Sequence, residues 1–558
     1  MPAFSNYRQP KQFESDSDSE LSDCNSGAGS EDEFIFREQH PESVRDASST
    51  GQTLQLRSAA LVVSGNRRKT SKMTKAEIDM MMDGLTRIKI SDDELIDTPS
   101  EMTVPLMEHQ REGIAWMVRN EQNKKRRGGL LGDDMGMGKT VQALALMVAN
   151  KPKPGRSHAT LVVAPASTVY QWEKEALKLF KDGTFNRIIV YHGPNRNKLV
   201  DSFADCDLVI TTFDIVSIEW GNPKTEKMFD LDANERKQRD KHVQELTNSP
   251  LFWTSWRRLI IDEAHQLRNY ETKKSMACCD LVARYRWMLS GTPIQNDLTD
   301  VYSVLRFLRI QPYCRYSKFD ALKCHPDRGL GTVRSYLQAL MLRRTKASQK
   351  KTSLLQLPPR YSYIHRLAMS PKMVQTSHLC ADLVLAPNVD IVQETDKHNP
   401  TDKTVIFSEH ITMIELLSSF LAANGFANAM YYGKHNMFVR NKTLTDFSSN
   451  ANTRVLLVSK HAGYSGINLT AANHVIIESL WWNPTVDEQA ADRVYRIGQT
   501  KPVHVHTLIS QNTFDEKMYE IQEARRKLIN DVVGDAAAKS DNLTHDEKMS
   551  ILASSFYD

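Results

Sequence analysis

From Leu106 onward the sequence keeps a regular beat: a short run of apolar, often β-branched residues, then a stretch with helical periodicity. The runs are Gly128–Gly132, Ala159–Ala164, Arg187–Tyr191, Asp207–Thr211, Arg258–Asp262 and Arg286–Ser290, followed after a gap by Lys403–Phe407, Arg454–Val458, His474–Ile477 and Val503–Leu508. Strands apolar along their whole length must be covered on both faces, and the intervening helices supply that cover. The pattern predicts an α/β fold with two parallel-sheet lobes. The first spans residues 101–346, with a charged surface insertion at about 222–248. The second spans 403–533. Between them, 347–402 carries the Pro358-Pro359 break and no strong strand, and reads as a linker.

The ends differ in composition. Residues 1–100 hold 12 basic and 18 acidic side chains, with SDSDSE at Ser15–Glu20 and three acids at Glu31–Glu33. Too few apolar residues are present to offset ordering entropy, so this segment reads as a disordered acidic tail, and 534–558 as a second tail. The net charge of +4 then places an excess of ten positive charges on the remaining chain, a mild match to a polyanion partner. No apolar run is long enough for a membrane span. The seven cysteines form no C-x-x-C pair, which argues against zinc and disulfide frameworks and for a reducing compartment.

Three segments of the first lobe carry chemistry. In GGLLGDDMGMGKT (Gly128–Thr140) a buried strand runs through a glycine loop into a helix, aiming backbone N–H groups and a helix N-terminus at phosphates. Lys139 would reach the β- and γ-phosphates of ATP, and the Thr140 hydroxyl would hold Mg²⁺. Asp133 stands where the first glycine of such loops is expected. In RRLIIDEAH (Arg258–His265) two acids end a strand at the sheet edge where α/β proteins bind ligands: Asp262 for Mg²⁺, Glu263 to orient or deprotonate the attacking water. Taken alone the pair has the lesser alternative of capping the next helix, which a glycine loop on a neighbouring strand disfavours further. LSGTPIQN (Leu289–Asn296) sets the short hydroxyls of Ser290 and Thr292 beside these acids, and His265 reads as a coupling hydrogen-bonder between the two. In the second lobe, QAADRVYRIGQ puts Arg493 and Arg496 three apart. They would be either a surface pair or two arginines that neutralise charge on the transferred phosphate.

In order and content these blocks resemble the Swi/Snf-like branch of the superfamily-two helicase-like DNA-dependent ATPases. The resemblance runs from LMEHQREGIAWM (Leu106–Met117) through VVAPASTVYQWEKE, DLVITTF, DEAH, SGTPIQN, LRRTK, KTVIFSEH and AGYSGINLTAANHVI to ESLWWNPTVDEQAADRVYRIGQ (Glu478–Gln499). The DDMG form and the TFDEKMYEIQEARRKL helix (Thr513–Leu528) lean towards the repair and transcription-termination (lodestar-like) subgroup, here without a RING finger.

The resemblance implies two RecA-like lobes with an ATP cleft between them. ATP would be held by Gln110, which reads adenine, by Asp133, Asp134, Met135, Gly136, Met137, Gly138, Lys139 and Thr140, and by Gly466. Gln489 joins His265, Ser290 and Thr292 in coupling. Ser167, Thr168, Thr211, Thr212, Ser408, Ser459, His461 and Trp481 would meet DNA. It further implies a nuclear, ATP- and Mg²⁺-dependent motor on double-stranded DNA that remodels or displaces bound proteins, with nucleosomes, polymerase or repair proteins as partners. A strand-separating helicase and a catalytically weak ATP- and DNA-binding scaffold are the alternatives. The chain departs from the family at Tyr464, where a second glycine is usual, at His461, and in the short Ser370–Asp402 stretch; these departures would weaken coupling of ATP to DNA, or the short stretch marks a missing piece of sequence.

Overall fold

The computed structural model describes residues 88–533 apart from 124–125, 153–157, 197–202, 204, 222–228, 248, 293–298, 325–328, 347, 349–356, 368–378, 436 and 464–466. The expectations for most of the acidic tail, the 534–558 tail, Tyr464 and Gly466 therefore lie outside the described residues.

The first lobe is a seven-stranded, all-parallel sheet: β1 (Gly128–Leu131), β2 (Thr160–Ala164), β3 (Ile188–Val190), β4 (Leu208–Thr212), β5 (Trp256–Asp262), β6 (Ala283–Leu289) and β7 (Met341–Leu342), in the spatial order β3-β4-β2-β5-β6-β1-β7. Its inner strands β2, β4 and β5 are buried on both faces, as their continuous apolar character requires, while the edge strand β3 is half-buried. One face packs Val162, Ile210, Ile260 and Trp287 against the helices Glu108–Gln122, Lys139–Ala149 and Val169–Leu179; the other packs Leu161, Val209, Leu259 and Ile261 against Phe213, Trp220 and Tyr302.

The second lobe is a six-stranded parallel sheet: β8 (Arg360–Leu367), β9 (Thr404–Ser408), β10 (Asn428–Tyr431), β11 (Val455–Ser459), β12 (His474–Ile477) and β13 (Val503–Ser510), in the order β10-β11-β9-β12-β13-β8. Here the reading of 347–402 as a linker needs correction. Its Arg360–Leu367 portion is the edge strand of the second sheet, paired along its whole length with β13, and the Leu379–His398 helix packs Leu385, Val389 and Val392 on Ile406, Ile476 and Leu508. RYSYIHRL hides its strand character because only one side of it is paired, so polar and aromatic residues can face solvent.

The charged 222–248 stretch lies at the surface, most of its described residues exposed or half-buried. Its Ala233–Leu246 helix is capped by Asp232, and Arg239 reaches inward to a fully buried Asp280 at 2.6 Å, so it is docked to the lobe rather than merely laid on it.

Two registers position the chemistry. Leu131 on β1 and Asp262 on β5 both sit beside Leu289 on β6, so the glycine loop, the two acids and the Ser290 turn leave the sheet at one level. In the second lobe Ser408 and Ser459 end adjacent strands side by side. Ligands of parallel sheets gather at such carboxyl edges.

Candidate active site

Between the lobes lies a cleft of about 440 Å³ lined from the first lobe by Gln110, Met135, Gly136, Gly138, Lys139, Thr140, Thr168, Trp172, Asp262 and Glu263, and from the second by Asp492, Arg493 and Arg496. The glycine loop closes on itself. Gly136 and Gly138 have φ of 79° and 81°, the left-handed region that favours glycine. A Cβ at Gly136 would come within 2.5 Å of Arg496 Cβ, so glycine here also lets the second lobe approach. Lys139 opens the following helix, and its Nζ donates to the backbone carbonyls of Asp133 (2.8 Å) and Asp134 (3.2 Å). Burial lowers its pKa, while Glu263, Asp133, Asp134 and Asp262 pull it back up.

Asp262 is the last residue of β5. Its Oδ2 accepts the indole N–H of Trp172 at 2.8 Å, and its Oδ1 accepts the Glu263 backbone N–H at 3.0 Å. Burial, then the Glu263 charge, raise its pKa. Glu263 moves the other way. Burial works to raise it, but the His265 ring, Arg493 and Lys139 together outweigh that and hold it ionised. His265 Nδ1 stands 3.3 Å from Glu263 Oε2, close enough for attraction but out of hydrogen-bond alignment, and Arg493 reaches Glu263 Oε1 at 3.9 Å from the other lobe. Glu263 also carries φ of 49°, a left-handed backbone rare outside glycine and asparagine; such strain persists where the surroundings over-determine it and clusters at working sites.

The Thr140 hydroxyl and the Asp262 and Glu263 carboxylates offer hard oxygen donors into one cleft, the set Mg²⁺ prefers, and Glu263 Oε2 is buried with no hydrogen-bond partner. The residues fit the ion. Among the described residues no cluster of three or more His, Cys, Asp or Glu side chains is placed to chelate a metal by itself. Nucleotide phosphates would therefore have to complete the coordination.

Three expected ATP contacts face elsewhere. Asp133 is fully buried behind the loop in a bidentate pair with Arg344 (2.5 and 2.9 Å) and a bond from Gln142 (3.1 Å). Burial pushes its pKa up, yet Arg344 beside it leaves the carboxyl below the ordinary range. Asp134 turns to Arg343 at 3.5 Å, and Met137 is buried, its carbonyl taking bonds from His109 (3.0 Å) and Gln110 (3.4 Å). The loop thus meets a ligand with glycines, Lys139 and Thr140, and uses its aspartates as anchors.

Among the coupling residues, Gln489 Nε2 donates across the cleft to Thr292 Oγ1 at 3.2 Å, and Ser290 Oγ accepts the Thr292 N–H at 3.1 Å. The residues expected to meet DNA all stand at strand carboxyl ends, but their side chains divide. Thr211, Thr212, Ser408 and Ser459 are buried. Thr211 bonds to the Tyr191 carbonyl, Thr212 caps the Phe213–Glu219 helix and Ser459 holds the Ala462 N–H, so these hydroxyls shape loops rather than reach outward. Thr168 likewise bonds to the Pro165 carbonyl, and Ser167 is half-buried beside it. His461 is exposed and stands edge-on to Trp481; both line a second interlobe cavity, of about 700 Å³, with Arg268 and Trp482. Trp482 is flanked by Arg268 at 6.0 Å and Arg525 at 4.4 Å.

Trp172, Arg344 and Asp492, and Glu175, which also lines the cleft, escaped the sequence reading. Trp172 lies four residues after Thr168 and so shares its helix face. That spacing was the available signal; the bond to Asp262, 90 residues away, was not.

Comparison with known proteins identifies the family. A model described as the SNF2-related domain matches residues 109–412, more than half of the chain, and the helicase conserved C-terminal domain matches 387–498. Relatives include an uncharacterized ATP-dependent helicase of Schizosaccharomyces pombe, 26% identical over 82% of this chain and 63% of its own, and transcription termination factor 2 of Drosophila melanogaster, 25% identical over 81% of this chain and 59% of its own. The chain thus spans about three-fifths of the length of these two relatives. Among solved structures, the Sulfolobus solfataricus SWI2/SNF2 ATPase core in complex with dsDNA is 25% identical, with a TM-score of 0.39, covering 79% of this chain and 96% of that one. With two parallel-sheet lobes around a glycine-loop cleft and the family model matched over more than half its length, the chain belongs to the SNF2-related family of helicase-like proteins.

Proposed function

We propose that this protein hydrolyses ATP under the control of duplex DNA, tracks along the duplex and displaces proteins bound to it, in the nucleus. The observation that carries the reading is the composite cleft: Arg493 of the second lobe lies 3.9 Å from Glu263 of the first, over the glycine loop that holds Lys139 and Thr140. A site whose charge-stabilising arginines come from the other lobe works only when the lobes are apposed, so a duplex lying across both lobes would govern hydrolysis.

In that reaction the loop N–H groups and Lys139 bind the phosphates; Thr140 and Asp262 would hold Mg²⁺, which when bound would offset charge on the phosphate oxygens. Ionised Glu263 accepts a hydrogen bond from the attacking water and aligns it with the terminal phosphorus. Arg493 and Arg496 balance the charge that develops as the bond to the leaving phosphate breaks. The Gln489–Thr292 contact carries lobe apposition to the Ser290 turn beside the acids. The mildly basic body and the exposed His461 beside Trp481 favour a polyanion, held mainly through its phosphates. Relatives named for transcription termination and as ATP-dependent helicases support a nuclear DNA substrate.

The test is phosphate release with no nucleic acid, single-stranded DNA, duplex DNA and RNA, beside Glu263→Gln. Stimulation by duplex DNA that disappears in the variant is the expected result. Equal rates in all four conditions would remove the DNA-motor reading, and unwinding of a forked duplex would replace it with strand separation.

A further inference from the structure

The LRRTK segment, Leu342–Lys346, ends the first sheet; its Arg343 and Arg344 anchor the glycine loop, and its last residue, Lys346, has had no part so far. We propose that Lys346 and Asp492 are positioning residues: their ion pair seats the arginine segment of the second lobe on the glycine loop of the first. The inference rests on the reading of Arg493 and Arg496 as the arginines of an ATP-hydrolysing site.

Lys346 is almost entirely buried, and its ammonium makes two bonds into the second lobe, to Asp492 Oδ1 at 2.7 Å and to the Tyr495 carbonyl at 2.5 Å. Asp492 immediately precedes Arg493, and Tyr495 immediately precedes Arg496. One cation therefore holds the backbone neighbour of each arginine. The same ammonium lies 4.9 Å from the centre of the Tyr495 ring, which adds a cation–π contact to the anchor.

At its other end, the Lys346 backbone N–H donates to Asp134 Oδ2 at 2.9 Å, and the Asp134 N–H donates to the Arg344 carbonyl at 3.0 Å. Lys346 thus ties the two lobes together, its backbone N–H holding the Asp134 side chain of the glycine loop and its ammonium, a side chain's length away, holding the arginine segment. Arg360, from the edge strand of the second lobe, stands 4.0 Å from Asp492 and pairs with Glu488 at 2.8 Å, so the carboxylate is braced from its own lobe as well. Arginine stabilisation of a transferring phosphate depends on sub-ångström placement, and a displacement of about 1 Å costs about 100-fold in rate. A buried ion pair with a further hydrogen bond and a cation–π contact is stiff enough to impose that placement, whereas its loss leaves Asp492 half-neutralised and the segment free to shift.

The full chain is assayed as Lys346→Met, Lys346→Arg, Asp492→Asn and the exchanged pair Lys346→Asp with Asp492→Lys. The expected result is a fall in kcat of about 10- to 100-fold in Lys346→Met and Asp492→Asn, with KM for ATP and the equilibrium affinity for ADP within about two-fold of the parent. Lys346→Arg, which keeps the charge, should stay nearer the parent, and the exchanged pair should turn over several-fold faster than either uncharged single variant. Parental kcat in the single variants overturns the proposal. So does a KM that rises as far as kcat falls, or an exchanged pair that melts with the parent yet turns over no faster than the singles. Should the parent itself release no phosphate, the enzymatic reading fails first, and lobe apposition is then read by X-ray scattering: a larger radius of gyration in Lys346→Met and Asp492→Asn than in the parent supports the clamp, and equal radii overturn it.

Discussion

The two lobes share a fold and differ in how the polar groups along their sheets are held. The first lobe buries charge in pairs. Arg258 is bidentate to Glu121 at 2.6 and 2.8 Å with both side chains essentially inaccessible, Arg344 grips Asp133, and Arg239 grips Asp280. The second lobe buries such a pair too, Lys460 with Asp487 at 2.5 Å, but along the edge of its sheet it stacks neutral rings that range from half-buried to exposed. On one face of β12, β13 and β8, His474 stacks on His504 at 4.7 Å, His504 on Tyr361 at 5.2 Å, and His506 on Tyr363 at 4.9 Å, with His365 Nε2 at 3.0 Å from His506 Nδ1. Burial, and then the neighbouring imidazoles, push His474 down to about 4 and His506 down to about 3. The first lobe, which would grip phosphate, fixes its glycine loop with a strong directional pair, whereas the second, which would deliver two arginines, holds the edge of its sheet with stacked rings that stay uncharged.

The widest gap between the lobes should appear in turnover. Arg493→Ala is expected to lower kcat by about 10³-fold or more while leaving ADP affinity within a few-fold, and Lys139→Ala to lose nucleotide binding as well. Parallel measurement of phosphate release and equilibrium ADP binding reads both; loss of binding in Arg493→Ala would break the division between gripping and delivering.

Next comes stability of the first lobe. Arg344→Ala strands a fully buried Asp133 carboxylate and should cost about 3–5 kcal/mol, seen as an early first transition in urea unfolding. Pairing it with Asp133→Asn, which removes the stranded charge, should recover part of the loss.

Acid should single out the second lobe. Between the ordinary histidine pKa of about 6.5 and the folded values near 4 and 3, the unfolded chain takes up protons that the folded sheet refuses. Stability contributed by the neutral rings is therefore complete above about pH 6.5 and declines as pH falls below it, by roughly 2 kcal/mol at pH 5 for a ring such as His474. Urea midpoints taken from pH 7.5 to 5 measure the slope; His474→Asn should flatten it, and an unchanged slope would mean that the stack does not set the acid response.

The smallest effect sharpens the site itself. Trp172→Phe keeps the ring but removes the N–H donated to Asp262, for an expected loss of about five-fold in kcat/KM, equivalent to about 1 kcal/mol. An accompanying rise in the Mg²⁺ concentration needed for half-maximal nucleotide binding would separate misplacement of the carboxylate from simple loss of packing.

The beat of apolar runs was enough to read two parallel sheets, because a strand buried on both faces leaves a continuous apolar signature and a helix between strands an amphipathic one. It missed Arg360–Leu367 for the converse reason: an edge strand can be polar. The cleft residues Lys139, Thr140, Asp262 and Glu263 were legible because loop and strand-end chemistry is local in sequence. What only the tertiary structure decided is where side chains with long-range partners turn. Asp133 and Asp134 sit in the phosphate loop by position, yet Arg344 and Arg343, more than 200 residues away, draw them behind it. Trp172 becomes part of the site by a bond spanning 90 residues. Pairing across such separations depends on the closure of the whole fold, which short-range pattern cannot encode, and burial then makes the partner obligatory because an unpaired charge inside the lobe would be too costly to keep.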